Sequence, residues 1–375
     1  MRKGMGSIWA AVLLLAAVVM GCERRPLEYM YRQTIRVVVK CIWEADAYPE
    51  GEKPTGMTLY FFKDGAFFNS ITTSNVDSCE VELERGRYAL YMISQSVDEY
   101  GSMEFHDMSN FQKASSVLEA APADWASRGP GELVVQDPEV LLSGVTEEFE
   151  ITEDMTRDYQ TYYRDWYNKK QAMAAAEAEA ATKSDIEDLA YLEEQVQYRT
   201  VRIPLYPRNV VSQFWVTIYA GNADVLQSVR ASTTGMARTF DLTQNVTDVE
   251  KATQIIRYWT LNMDDEDRRV GHVDGLITTF GLPEGETPST MRDSTLNVSA
   301  LLIDNETVAD YVFNVGDKIQ ELTPNRGYRN LYRLIFGSVD DPAIQLPDVT
   351  PVESGGGFTA DVTDWDDEIK ADIPI

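Results

Sequence analysis

From Thr34 to about Ser143 the chain is written in short runs whose apolar residues fall on every second position, each run closed by turn-forming residues. In residues 35–43 the side chains of Ile35, Val37, Val39, Cys41 and Trp43 share one face, and in residues 79–83 those of Cys79, Val81 and Leu83 do, because side chains alternate across a strand. Further runs lie at 57–62, 66–71, 88–94 and 133–135. Asp64-Gly65 between two of them predicts a tight hairpin, since Gly accepts the positive φ such a turn needs, and Arg85-Gly86-Arg87 marks a second reversal. Regularly spaced strands of this kind predict an antiparallel sandwich or barrel and argue against a parallel α/β sheet.

The period changes between about 147 and 198, where Ala, Glu, Gln and Tyr dominate and a helical hairpin is predicted. Tyr159, Tyr163, Trp166 and Met173 recur at helical spacing, as do Leu189, Leu192 and Val196. Thr182-Lys183-Ser184 suggests the break between the helices, with Ser184 and Glu187 matching a capping box. The aromatic stripe, with Tyr163 and Trp166 at its centre, reads either as a contact surface that stacks sugars or as packing against a neighbouring domain. Packing is the commoner use of such residues.

A second β region begins near Thr200, with runs at 214–219, 225–231, 255–261, 276–280, 296–303 and 307–313. Asp304-Asn305 joins the last two as another hairpin. Gly355-Gly356-Gly357 then precedes a short closing strand at 358–362.

Residues 1–22 describe a destination. Arg2 and Lys3 begin the chain, and the apolar run from Ile8 to Met20 is shorter than the roughly 20 residues that span a bilayer, so it reads as a removed signal. Val19-Met20-Gly21-Cys22 resembles the lipobox at which a bacterial signal peptidase cuts before a lipidated cysteine. Lipid on Cys22 would hold the mature chain to the membrane without any spanning helix, at about 0.8 kcal/mol per buried CH₂.

Two cysteines remain, Cys41 and Cys79, both predicted to point inward from strands. A disulfide between them would suit an oxidising compartment, yet it needs Cα atoms within about 7 Å. A bridge and a buried free pair stay equally open. Neither reading is catalytic, because a nucleophilic cysteine wants an exposed, electropositive setting.

The 33 basic and 61 acidic residues give a net charge of −28, which repels phosphate backbones and makes nucleic acid an unsuitable partner. The acidic clusters Asp264-Asp265-Glu266-Asp267 and Asp364-Trp365-Asp366-Asp367-Glu368 lack the alternating spacing of a calcium loop and read as solvated loops. The two histidines, His106 and His272, form no zinc motif, and G-x-S-x-G and phosphate-binding glycine loops are missing. No catalytic residue, metal or cofactor is assigned, and the chain is expected not to be an enzyme.

Several of these segments resemble a group of lipoproteins from gut and oral Gram-negative bacteria related to the fimbrillins and fimbrial anchor proteins. They are Cys22-Glu23-Arg24-Arg25 followed by 35–43; Pro54-Thr55-Gly56-Met57 running into 58–62 with Asp64-Gly65; and Glu84-Arg85-Gly86-Arg87-Tyr88. Later, residues 229–237 look like the group's strand followed by a Gly-Met-Ala turn, 296–315 like its hairpin, and 357–365 like its closing strand. The resemblance implies a mainly β chain of two tandem transthyretin-like antiparallel sandwiches, with the helical hairpin as an insertion. On this reading a signal peptide (1–21) and tether (22–33) precede a first sandwich (34–145), the helical insertion (146–198) and a second sandwich (199–375). It also implies an outer-membrane lipoprotein facing the periplasm or the surface. Such a protein anchors or accompanies fimbria-like polymers by strand addition to fimbrillin-like subunits. The absence of an acidic run after Cys22 departs from the surface-export pattern of such bacteria. A surface glycan-binding lipoprotein is the alternative.

Overall fold

The computed structural model describes residues 33–43, 53–121, 128–175, 182–322 apart from 257, 265, 266, 268 and 292, and 329–351. The signal peptide, Cys22 and the expected closing strand lie outside them.

The first strands are β1 (Thr34–Cys41), β2 (Met57–Lys63), β3 (Ala66–Thr73), β4 (Ser78–Glu84) and β5 (Gly86–Ser94). Short strands follow: β6 (Met103–His106), β7 (Ser115–Leu118), β8 (Leu133–Val135), β9 (Leu142–Val145) and β10 (Phe149–Ile151). Two helices come next, α1 (Glu153–Ala175) and α2 (Lys183–Arg199). The chain then returns to β structure with β11 (Val201–Leu205), β12 (Arg208–Asn209), β13 (Ser212–Gly221), β14 (Leu226–Ala237), β15 (Thr239–Asp241), β16 (Val246–Thr247) and β17 (Lys251–Ile256). It ends in β18 (Trp259–Met263), β19 (Val270–Thr279), β20 (Thr295–Leu302), β21 (Val308–Asn314), β22 (Ile319–Leu322), β23 (Leu331–Phe336) and β24 (Ile344–Gln345). A mainly β chain of packed, mostly antiparallel sheets with one helical hairpin is therefore what the sequence predicted and what is observed.

In the first sandwich a three-stranded sheet, ordered β11-β1-β4, faces a larger one ordered β12-β9-β5-β2-β3. The alternating faces meet as expected: Val39, Cys41 and Cys79 from one sheet pack with Met57, Leu59, Phe61, Leu90 and Met92 from the other. Asp64 (φ 50) and Gly65 (φ 81) turn the β2–β3 hairpin, both left-handed as a tight two-residue turn requires. The chain crosses from one sheet to the other between β4 and β5, at the predicted Arg85-Gly86-Arg87 reversal.

This sandwich does not end where the helices begin. β11 pairs parallel with β1, Val37 opposite Val201 and Cys41 opposite Leu205, and β12 pairs with β9. The helical hairpin is thus an excursion within the first sandwich, and the expected boundary between 198 and 199 runs ahead of its last two strands. Sequence patterning places strands but not their partners, so it could not see this. The capping box also sits two residues earlier than predicted: Thr182 accepts from the Asp185 N–H at 3.2 Å while Asp185 accepts from the Thr182 N–H at 3.1 Å. Asp185 also lies 2.7 Å from Lys169 Nζ on α1, an ion pair across the hairpin.

The second sandwich sets the sheet β18-β19-β13-β23-β22 against β21-β20-β14-β17-β8. Phe214, Val216, Ile218, Leu334 and Phe336 meet Leu296, Val298, Ala300 and Leu302 across its core. Its outermost strand β8 comes from the first half of the chain and pairs parallel with β17, while β7 pairs with β15. The Glu132 carboxylate locks this crossing by accepting from the Gly235 N–H (3.1 Å) and the Thr253 hydroxyl (2.8 Å). Between the sandwiches Phe62, Tyr91, Val135, Phe240 and Phe280 share one apolar cluster.

At Gly235 the resemblance implied a turn, but β14 runs on through it with a bulge between Thr233 and Met236. Gly235 has φ +81, and a Cβ there would collide with the Ser294 side chain. Strand bulges with a left-handed Gly keep the strand paired on either side, which a turn would not. Gly235→Ala is expected to destabilise the fold by about 1–3 kcal/mol, combining a left-handed non-Gly residue with a steric clash; chemical denaturation of the variant against the parent measures it.

Candidate functional site

Where the backbone of a sheet is left open, it can be completed by another chain, so the outermost strands are the places to look. Most of the longer ones carry charge. β4 has Glu80, Glu82 and Glu84, β21 has Asp310, β22 has Glu321, and β11 has Arg202 and Pro204. Charges and proline on an edge discourage a further strand from pairing.

β3 is different. Its eight residues, Ala-Phe-Phe-Asn-Ser-Ile-Thr-Thr, include no charge, in a chain of net charge −28. Among the described residues it pairs only with β2. Every position from Ala66 to Ser70 is exposed. β18, with five uncharged residues, is the shorter counterpart in the second sandwich.

The β2–β3 ladder slips by one residue between Phe61 and Phe62, so Phe62 stands opposite Phe67 and Phe61 opposite Asn69. Phe68 is the extra residue. As adjacent residues of a strand, Phe67 and Phe68 send their rings to different sides of the edge. Phe67 meets Phe62 edge-on at 5.9 Å, and Phe68 meets Tyr88 edge-on at 5.8 Å with Lys63 Nζ 6.0 Å from its centroid. Both stay about two-fifths exposed, at 44% and 39%. The edge thus offers unpaired main-chain groups flanked by two apolar rings, which is the chemistry an added strand uses: backbone bonds for affinity, side-chain pockets for selection.

The residues singled out from sequence fall elsewhere. Cys22 lies outside the described residues. Cys41 and Cys79 are both buried free thiols on neighbouring strands. Cys79 stands opposite Val39, one pleat from Cys41, whose sulfur lies 3.6 Å from Met57 Sδ. Burial pushes the Cys41 thiol up to about 12, aided by Cys79 and Asp77, and the Cys79 thiol up to about 11, aided by Glu80. Tyr163 and Trp166 are half-buried and pack against Ile35, Val37, Tyr159 and Val196, with ring centroids 5.6 Å apart. Trp166 also carries Lys170 Nζ at 4.6 Å.

His106 is a surface residue beside Glu104, 3.0 Å away. His272 lies on the outer face of β19, 3.4 Å from Asp274. Asp264 accepts from the Asp267 N–H within its loop, and the cluster at 364–368 is outside the described residues. Among the described residues no group of His, Cys, Asp and Glu has the arrangement of a metal site. No described helix is long and apolar enough to cross a membrane.

A family model described as a domain of unknown function, DUF5119, matches residues 21–257, more than half of the chain. The chain belongs to the DUF5119 family. In this member the matched span holds the first sandwich, the helical hairpin and the strands up to β17. No curated protein matches the chain.

Among solved structures it is similar to a candidate adhesin from Bacteroides ovatus, at 16% identity and TM-score 0.49, over 88% of this chain and 99% of that one. It is also similar to the fimbrial anchor protein Mfa2 from Porphyromonas gingivalis, at 12% identity and TM-score 0.43, over 80% and 90% of the two chains. A third is the tip fimbrial protein Mfa3 from the same organism, at 10% identity and TM-score 0.36, over 84% and 96%.

The raised thiols give a pH dependence with a defined sign. A group whose folded pKa lies above its ordinary value favours the folded state while protonated, so its contribution is whole below about pH 9 and is lost as pH climbs through 11 to 12. Tyr88, Tyr159 and Tyr332, each pushed up to about 12 by burial, act in the same direction. The melting temperature is expected to hold to about pH 9 and fall above it. At pH 8 both thiols should resist iodoacetamide until denaturant is added; rapid native labelling would show that the two sulfurs are not buried.

Proposed function

We propose that this DUF5119 protein is a non-enzymatic, lipid-tethered component of the cell envelope that anchors or accompanies a fimbria-like assembly, with β3 as the strand at which another subunit joins. The observation that carries the reading is the uncharged, exposed, aromatic-flanked edge at residues 66–73. An exposed eight-residue edge without charge, broken only by the bulge at Phe68, leaves its backbone open to a partner strand, and the rest of the chain has charge to spare for blocking it. Mfa2 is a fimbrial anchor protein and Mfa3 a tip fimbrial protein, and a role of that kind is proposed for this chain.

The lipobox-like residues 19–22 support the tether. Attachment at Cys22 would leave residues 23–33 as a leash of at most about 40 Å before β1, which keeps the first sandwich near the outer membrane, periplasmic or surface-facing. Within the proposal the chain divides into two sandwich units near residue 210, since β12 is the last strand to pair in the first.

Two variants separate the parts of this reading. Cys22→Ala should move the protein from the membrane fraction to the soluble fraction of cells; retention in the membrane would remove the tether. Asn69→Lys with Ser70→Lys places charge on the open edge and should abolish cross-linking to a partner subunit in intact cells while leaving the thermal melt unchanged, since both positions are exposed. A partner still cross-linked to the Lys variant would place assembly elsewhere on the molecule.

A further inference from the structure

Arg329 stands two residues before β23. Its backbone N–H donates to the Val211 carbonyl at 2.9 Å, and the carbonyl of Asn330 accepts from the Gln213 N–H at 3.0 Å, so the backbone here is fixed against the start of β13. The guanidinium lies over the ring of Phe240, 4.9 Å from its centroid, beside the apolar cluster that both sandwiches build. Nη1 is buried, and among the described residues it has no hydrogen-bond partner. Burial holds the guanidinium below its ordinary pKa, and Tyr332 rather than any carboxylate is what opposes that shift. Buried charges are ordinarily paired, because a buried charge left uncompensated is strongly destabilising. In a chain with 61 acidic residues, a counter-charge for this cation was easy to supply and is not there.

Arg329 forms part of the wall of a cavity of about 220 Å³. Leu282, Pro283, Glu284 and Glu286, from the loop after β19, line it together with Tyr332 of β23. Hydrogen bonds hold that loop in place: the Thr247 hydroxyl donates to the Leu282 carbonyl at 2.7 Å, the Glu284 N–H to the Asp248 carbonyl at 3.1 Å, and the Glu286 N–H to the Pro283 carbonyl at 3.0 Å. The cavity is therefore preformed. It is smaller than the roughly 300–1,000 Å³ of pockets that take drug-sized molecules, which limits the occupant to a small one.

The charges around the cavity select among small anions. Glu286 is already engaged, accepting from the Thr290 hydroxyl and from Lys251 Nζ at 3.2 Å, and these bonds hold its carboxyl below the usual range. Glu284 is exposed and lines the same cavity. A guanidinium presents parallel N–H groups that match the two oxygens of a carboxylate or of a phosphate. Two glutamates in the wall repel a dianion about twice as strongly as a monoanion, which disfavours phosphate.

We infer that this cavity binds a small organic monocarboxylate, its oxygens on the Arg329 guanidinium and the rest of the molecule against the loop at 282–286. The inference does not depend on the tether or on the β3 edge, and its failure would leave both standing.

The test is titration calorimetry and thermal melting of the purified full chain in a low-chloride buffer, with acetate, propionate, lactate and benzoate as probes and inorganic phosphate for comparison. At least one monocarboxylate is expected to bind saturably and to raise the melting temperature as its concentration rises, with phosphate weaker. Arg329→Gln should weaken that binding at least about tenfold, the loss of a charge-assisted contact. Arg329→Lys, which keeps the charge and loses the planar fork, should recover only part of it. Glu284→Gln, at an exposed position, should tighten carboxylate binding about threefold and narrow the preference over phosphate. Absence of saturable binding by all four acids, phosphate bound more tightly than any of them, or binding untouched in Arg329→Gln would overturn the inference. Should Arg329→Gln fail to melt cooperatively, an unchanged carboxylate affinity in Glu284→Gln would overturn it instead.

Discussion

The rest of the molecule depends on β1 being paired on both sides. Antiparallel to β4 and parallel to β11, it buries Ile35, Val37, Val39 and Cys41 on a single face and joins residues on either side of the helical hairpin. A parallel pair needs a long crossover, commonly helical. Here α1 and α2 lie within it. They are fastened at the base by Tyr159 and Val196 in the core, and by Arg199, which bonds Asp158 at 2.7 Å and stacks 3.8 Å over Tyr162. What reads in sequence as a linker between domains is the connection that closes the first one.

The same economy ties the two sandwiches together. β7 and β8 leave the first sandwich to pair with β15 and β17, and Glu132 accepts hydrogen bonds from the backbone and hydroxyl they approach. Bonds to an ionised acceptor contribute more than neutral ones, roughly 1.5–3 kcal/mol each. The halves therefore share sheets as well as an interface, and the apolar cluster around Phe62, Tyr91, Phe240 and Phe280 is built from both.

Charge is distributed in keeping with this design. The acidic residues sit on exposed faces and on the edges of β4, β21 and β22, where they keep the sheets from pairing with other chains. They are absent from β3 and from β18, whose residues carry no charge.

Local chemistry was legible from the residues alone. Period-two alternation marked the inward faces of β1 and β4, Asp64-Gly65 marked its hairpin through the positive φ it needs, and the change of period marked the helices. Pairing was not legible, because alternation says which side of a strand is apolar and nothing about which strand lies beside it. So the place of β11 in the first sandwich, the crossing of β8 into the second, and the outermost position of β3 were settled by tertiary structure. For the same reason Phe67 and Phe68 looked like ordinary strand residues. Exposure depends on what the rest of the chain packs against, and no spacing along the chain records that.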